Sequence, residues 1–145
     1  MSLVPYKGKF HVEHFKNTTS TAFAVGDMVS VLNSGAGDGY LVPTTSTSPQ
    51  ILGTIQEAIT SADAKYSTSD FVPVLVGDAD AIWKASTTTN GGITEVGQFI
   101  DASDHDDLDG GTGYTFGVAQ VVRFFSTTSL GVKLAKKNGP SVTTA

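Results

Sequence analysis

Apolar and polar residues alternate through much of this chain with the two-residue period of a β-strand. Over 9–15, Phe10, Val12 and His14 fall on one side and Lys9, His11, Glu13 and Phe15 on the other. The same reasoning predicts strands over 24–32, 40–42, 51–59, 71–76, 79–85, 98–102, 115–125 and 130–135. Gly, Asn and Pro punctuate them, with tight turns expected at 33–39 and at Asn90-Gly91-Gly92. The segment 71–85 reads as the clearest hairpin, because Gly77 before Asp78 fits a type II′ turn. Pro73 cannot donate to a ladder, which predicts an edge strand or a bulge there. One helical turn is expected, around Ala62-Asp63-Ala64. The pattern predicts an all-β domain, a single compact β-barrel or β-sandwich of about nine short strands with little helix.

The first half of the chain echoes weakly in the second. Val25-Gly26-Asp27-Met28-Val29 returns as Val96-Gly97-Gln98-Phe99-Ile100, and Ile51 to Gln56 returns as Thr115 to Gln120. The run from Phe71 to Leu75 is followed less closely by Leu130 to Leu134. The order is kept and the spacing shrinks. The repeat covers 24–85 and 94–135 within a domain spanning 21–135. The halves are short and unequal, which favours two similar hairpins in one barrel over two subdomains. Residues 1–20 read as an extended N-terminal arm followed by the first strand, and 136–145 as a polar tail. Leu3, Val4 and Tyr6 are apolar without a core-like period. Such an arm either covers a neighbour or adds a strand to a partner's sheet edge, or is disordered.

Composition narrows the function classes. With 145 residues and no cysteine, the chain fits one domain without disulfides, zinc-thiolate sites or thiol catalysis. A net charge of -5 argues against a nucleic-acid backbone and against an anionic membrane surface. Charged residues make up only 16%, and Ser, Thr and Gly fill the gap, so covering this surface immobilises few long side chains. No apolar run reaches membrane-spanning length, and no signal-peptide stretch opens the sequence. The protein is expected to act where it is made, or to leave by lysis.

No motif assembles catalytic chemistry. His11 and His14 face opposite sides of a strand, which disfavours metal binding. The acidic stretch from Asp101 to Asp109 has carboxylates that calcium prefers, but its register fails the EF-hand pattern, and a solvated turn is the plainer reading. The Gly35 to Gly39 run lacks the Lys-Ser/Thr of a phosphate loop. Glu57 and Glu95 are the one conceivable carboxylate pair, more simply read as unrelated surface acids. Asn17-Thr18-Thr19 is a formal glycosylation sequon without a secretory signal. Trp83 either packs over the core or offers a surface platform, the first being commoner. No catalytic, cofactor-binding or metal-binding residue is assigned, and the chain is expected not to be an enzyme.

The stretch Gly26-Asp27-Met28-Val29-Ser30-Val31, the strand from Gly53 to Ala58 and the pair over 71–85 form a combination, joined by Val96 to Asp101 and Tyr114 to Val118. It resembles the small β-rich decoration, or cement, proteins of tailed-bacteriophage heads. The resemblance implies a virion structural protein on the outer capsid surface, made in the host cytoplasm. Its implied partner is the major capsid protein, whose completed lattice such proteins bind, often as homo-trimers, and reinforce against internal DNA pressure. Because N-terminal arms commonly make that contact, Leu3, Val4, Tyr6 and Phe10 are the expected contact residues. The alternatives are another virion part (head-fibre base, vertex, tail or baseplate component) or a carbohydrate-binding β-sandwich displaying Trp83 or Tyr40.

Overall fold

A computed structural model describes residues 3–32, 39–88, 96–110 and 114–135. The strands are β1 (Leu3–Lys7), β2 (Phe10–Lys16), β3 (Met28–Leu32), β4 (Tyr40–Pro43), β5 (Gly53–Ile55), β6 (Phe71–Gly77), β7 (Ile82–Ser86), β8 (Phe99–Ile100), β9 (Ala119–Ser126) and β10 (Ser129–Leu134). A single helical turn, α1 (Ala64–Ser67), starts slightly later than its sequence signal. All strand pairs are antiparallel and form two five-stranded sheets, in the orders β1-β7-β10-β9-β8 and β2-β6-β5-β3-β4. Neither sheet closes into a barrel, so of the two expected forms the sandwich is the one found; the edge strands of the second sheet meet at a single point, a parallel bridge between Asn17, just past β2, and Leu41 of β4. The turn at 33–38, the turn at Asn90-Gly91-Gly92, Glu95 and the 136–145 tail lie outside the described residues.

Two apolar layers hold the sandwich. The larger gathers Trp83, Ala85, Ile100, Val121, Leu130 and Val132 of the first sheet with Met28 of the second, and Phe10 and Leu75 pack against it. The other lies on the far face of the second sheet, where Val29, Leu41, Ile55, Val72 and Val74 meet Phe23 and Ile59 from the connecting loops. Strand β6 is therefore covered on both faces. That is why 71–76 reads as a nearly continuous apolar run rather than an alternation.

The expected 71–85 hairpin does not form. β6 belongs to the second sheet and β7 to the first, joined by a corner in which Ala81 N–H donates to the Asp78 carbonyl at 2.9 Å. Gly77 supplies space rather than a special dihedral. A Cβ there would lie 2.8 Å from Ala81 Cβ and 3.2 Å from the Phe10 ring. Pro73 sits in an interior strand, between β2 and β5. Its carbonyl accepts Gln56 N–H at 2.9 Å, beyond the end of three-residue β5. Its ring nitrogen points to that same side, so the β2–β6 ladder loses no donor.

The N-terminal arm is also corrected. Residues 3–7 pair with β7 as an edge strand, and Leu3 is buried in the core.

The echoed segments occupy equivalent places. β3, β5 and β6 are consecutive neighbours in one sheet, as β8, β9 and β10 are in the other. Gly26 N–H donates to the Ile55 carbonyl and Ile55 N–H to the Asp27 carbonyl. The same double link joins Gly97 and Gln98 to Val121. Gly26 and Gly97 both take left-handed dihedrals, φ +93° and +97°, which glycine adopts without strain. Each sheet thus contains a similarly linked three-strand set, although the second link falls at Val121, two residues beyond Ala119, the echo of Ile55.

Gly53 shows how closely β5 and β6 approach. A Cβ there would fall 2.0 Å from the Leu75 carbonyl oxygen, a backbone atom that cannot swing away. Gly53→Ala is expected to cost about 3 kcal/mol, the upper end of overpacking costs. Urea unfolding checks this, and an unchanged midpoint would contradict the packing described.

Candidate functional site

The four expected contact residues divide into two pairs. Leu3 is 3% exposed, and Phe10 meets Trp83 edge-on with ring centroids 4.8 Å apart, so both are turned inward. Val4 pairs with exposed Lys84, and Tyr6 is 43% exposed, which places both on the outer face of the first sheet.

On that face Tyr6 and Phe125 meet edge-on at 4.9 Å although β7 and β10 lie between their strands. Strands are spaced about 4.8 Å apart, so both rings must lie across the sheet. Two features allow it. Each ring belongs to the extra residue where the ladder register shifts: Tyr6 between Pro5 and Lys7, and Phe125 opposite the Ser129–Leu130 step. Bulges re-aim side chains in this way. Gly131 of β10 leaves the lane open, since a Cβ there would lie 2.9 Å from Arg123 Cβ and 3.3 Å from Phe125 Cε2. Arg123 Cζ stands 5.5 Å from the Tyr6 ring centroid and 5.3 Å from that of Phe125, with Lys84 Nζ 5.1 Å from the latter. These are cation–π distances.

Both N-terminal strands are edges, β1 of the first sheet and β2 of the second. In the β2–β6 pairing, His14 faces Pro73 and Val12 faces Leu75. The Pro73 and Leu75 carbonyls point toward β5. The backbone groups of Val12 and His14 therefore point away from β6, along the open edge. Their side chains are exposed.

A second cluster joins segments 78 residues apart. His105 Nδ1 lies 3.1 Å from Asp27 Oδ1 and 3.5 Å from Asp106 Oδ1. Asp27 Oδ2 accepts Ala24 N–H at 2.9 Å, and Met28 N–H donates to the His105 carbonyl at 2.9 Å. Asp27, His105 and Asp106 are the described residues whose donor atoms converge as a metal group would, within 4.8 Å of one another. As arranged, they form an ion pair that pins the acidic loop to the start of β3. Partial burial opposes charge on the imidazole, but Asp27, Asp106 and Asp104 outweigh it and raise its pKa above 6.5. Asp101, at the head of the same stretch, accepts backbone N–H groups from Thr115, Phe116 and Gly117 at 2.7–2.9 Å. Its carboxylate fixes the entry to β9 instead of facing solvent as an open cation ligand.

The remaining candidates resolve individually. Trp83 is 1% exposed and Tyr40 half-buried, which removes the exposed Trp83 platform of the carbohydrate reading. His11 pairs with Glu13 at 2.5 Å, and Glu57 with Lys65 at 2.9 Å. Asn17 is fully buried; its amide donates to the Lys65 carbonyl and accepts Asp70 N–H, so the sequon has no free nitrogen in the folded chain. No sequence signal disclosed this buried amide, the Asp27–His105 pair or the Tyr6–Phe125 contact, because each depends on tertiary placement. No helix among the described residues is long and apolar enough to cross a membrane.

No protein-family model matches the chain, and no curated protein matches it in sequence.

The His105 pair has a pH signature. A folded pKa above the unfolded value means its stabilisation is fully present below about pH 6.5 and is lost as pH rises through the folded value. His105 is half exposed, so solvent screening holds the contribution to about 0.2–1 kcal/mol. His105→Gln is expected to lower stability most at pH 6 and less at pH 8, measured by urea titration at both; an equal loss at both would contradict the pair. Asp101→Ala is expected to cost about 2–3 kcal/mol, because three N–H donors lose a charged acceptor. Its melting temperature measures this.

Proposed function

We propose that this chain is a structural virion protein that binds the outer surface of a tailed-phage capsid and stabilises the major-capsid lattice. The observation that carries the reading is the pair of edge strands built by residues 3–14, one on each sheet and unpaired on the outer side among the described residues; β2 is met by β4 only past its end, at the Asn17–Leu41 bridge. The resemblance over 24–135 supplies the class of particle, and the edges supply a means of attachment. An extended segment of a shell subunit pairing with β2 would gain main-chain hydrogen bonds from Val12 and His14, with specificity from neighbouring side chains. Lys16, His11 and Glu13 along that strand, with Lys9 just before it, keep the edge from self-pairing in the free protein. Stable specific contacts bury about 1,200–2,000 Å² in total, and many copies on a closed shell act multivalently. Trimeric assembly and a location on the virion surface belong to the same proposal. The mechanism is mechanical: each bound copy raises the barrier to separation of the subunits beneath it.

The test is co-sedimentation with empty shells of the parent phage. Wild-type protein is expected to pellet in stoichiometric amounts and to raise the temperature at which shells rupture; protein that stays in the supernatant overturns the proposal. Deleting residues 1–8 is a poor probe, because it removes Leu3 from the core and β1 from β7. Val12→Pro removes an outward N–H while leaving the β6 ladder intact. It is expected to preserve the fold by circular dichroism and to weaken shell binding at least about tenfold. Unchanged binding by a folded Val12→Pro protein would exclude strand addition at β2.

A further inference from the structure

The outer face of the first sheet carries chemistry that the β2 edge does not use. Lys84 and Arg123 lie against the Tyr6–Phe125 pair, and Lys133 flanks them. Among the described residues Lys133 is paired with Asp80 alone, at 3.7 Å, and that carboxylate is 98% exposed. Among the described residues neither Lys84 nor Arg123 is ion-paired. This is notable in a chain with 14 acidic residues against 9 Lys and Arg. Its cations have an excess of carboxylates to choose from, yet these two rest on rings.

An aromatic face orients a cation without neutralising it. The guanidinium of Arg123 therefore keeps its N–H fork for a carboxylate, held in place beside exposed apolar surface. Two bulges and a glycine are arranged so that the rings can hold it. Tyr and Arg beside apolar surface is the composition of a binding hot spot. Three cations on a net-negative chain are too few for a nucleic-acid backbone, and the excess acid would repel one.

We propose that this face docks a protein surface carrying carboxylates beside apolar groups. In the capsid reading, on which the identity of the partner rests, that surface belongs to the shell. Arg123 and Lys84 take the carboxylates, and Tyr6, Phe125 and Val4 cover the apolar part. Contact here and at β2 would engage the shell at two separate places.

Two measurements on the full chain test this. In the first, a hexaglutamate peptide is titrated into the protein at low salt and followed by amide NMR. Shifts are expected at Tyr6, Lys84, Arg123 and Phe125. They should vanish in Lys84→Glu/Arg123→Glu and persist in Lys9→Glu/Lys16→Glu, which changes net charge equally. Shifts centred elsewhere, or equal loss in both variants, overturn the proposal. In the second, folded Lys84→Glu/Arg123→Glu is expected to bind shells at least about tenfold more weakly than wild type, with wild-type binding falling as salt rises. A reversal variant that pellets like wild type overturns the face and leaves the capsid reading standing. Wild type that ignores shells but binds hexaglutamate at this face overturns the capsid reading and keeps the face. Self-association that the reversal abolishes, with shell binding intact, gives the face to a second copy and overturns the proposal.

Discussion

The sandwich depends on one corner, where the chain crosses between sheets twice, side by side. Residues 8–9 carry it from β1 to β2, and residues 78–81 carry it from β6 to β7. Ala81 is wedged between them. A Cβ on Gly8 would lie 2.9 Å from Ala81 Cα, and one on Gly77 would lie 2.8 Å from Ala81 Cβ. Asp78 N–H donates to the Lys9 carbonyl at 3.0 Å and ties the two crossings together. Gly8 needs its identity twice over, since its φ of +109° is also left-handed. The corner sets Phe10 against Trp83 in the layer between the sheets. From there the two strands diverge, which is how a single N-terminal segment comes to line one edge of each sheet.

The sheets then take different parts. The second is covered on both faces, by the inter-sheet layer and by the loops that bring in Phe23 and Ile59. The first carries its outer-face cations and rings toward solvent among the described residues, and only there do bulges steer aromatic side chains sideways. The acidic loop is pinned separately, by Asp27–His105 at one end and by Asp101 at the other. This arrangement leaves two surfaces, an edge and a face, through which the domain can hold something else.

Much of this was legible in the alternation of residues, and the failures have physical causes. Strand positions followed from period-two patterning, and the glycines at 26 and 97 marked equivalent turns. The 71–85 segment misled because a Gly-Asp step between two apolar runs fits a tight hairpin and a corner equally well. Local signals do not say which sheet the second strand joins. Pro73 misled because its missing donor was harmless where β5 stops short. The arm misled because Leu3 finds its core across the sheet, from Ala85 and Leu130, and not from its own neighbours in sequence. Of the four expected contact residues, Val4 and Tyr6 share an outer face while Leu3 and Phe10 hold the interior. Bulges decide which way Tyr6 and Phe125 lean, and no pattern in a single sequence encodes them.

The most direct test of the central claim, that this domain is a cement for a shell, is a cryo-EM reconstruction of shells saturated with the protein. Density is expected on the outer surface, spanning the joints between capsomers. In that density β2 is expected within main-chain hydrogen-bond distance of a shell strand, and Arg123 against a carboxylate. Shells without added exterior density, or copies bound through neither the β2 edge nor the Tyr6–Arg123 face, would contradict the claim.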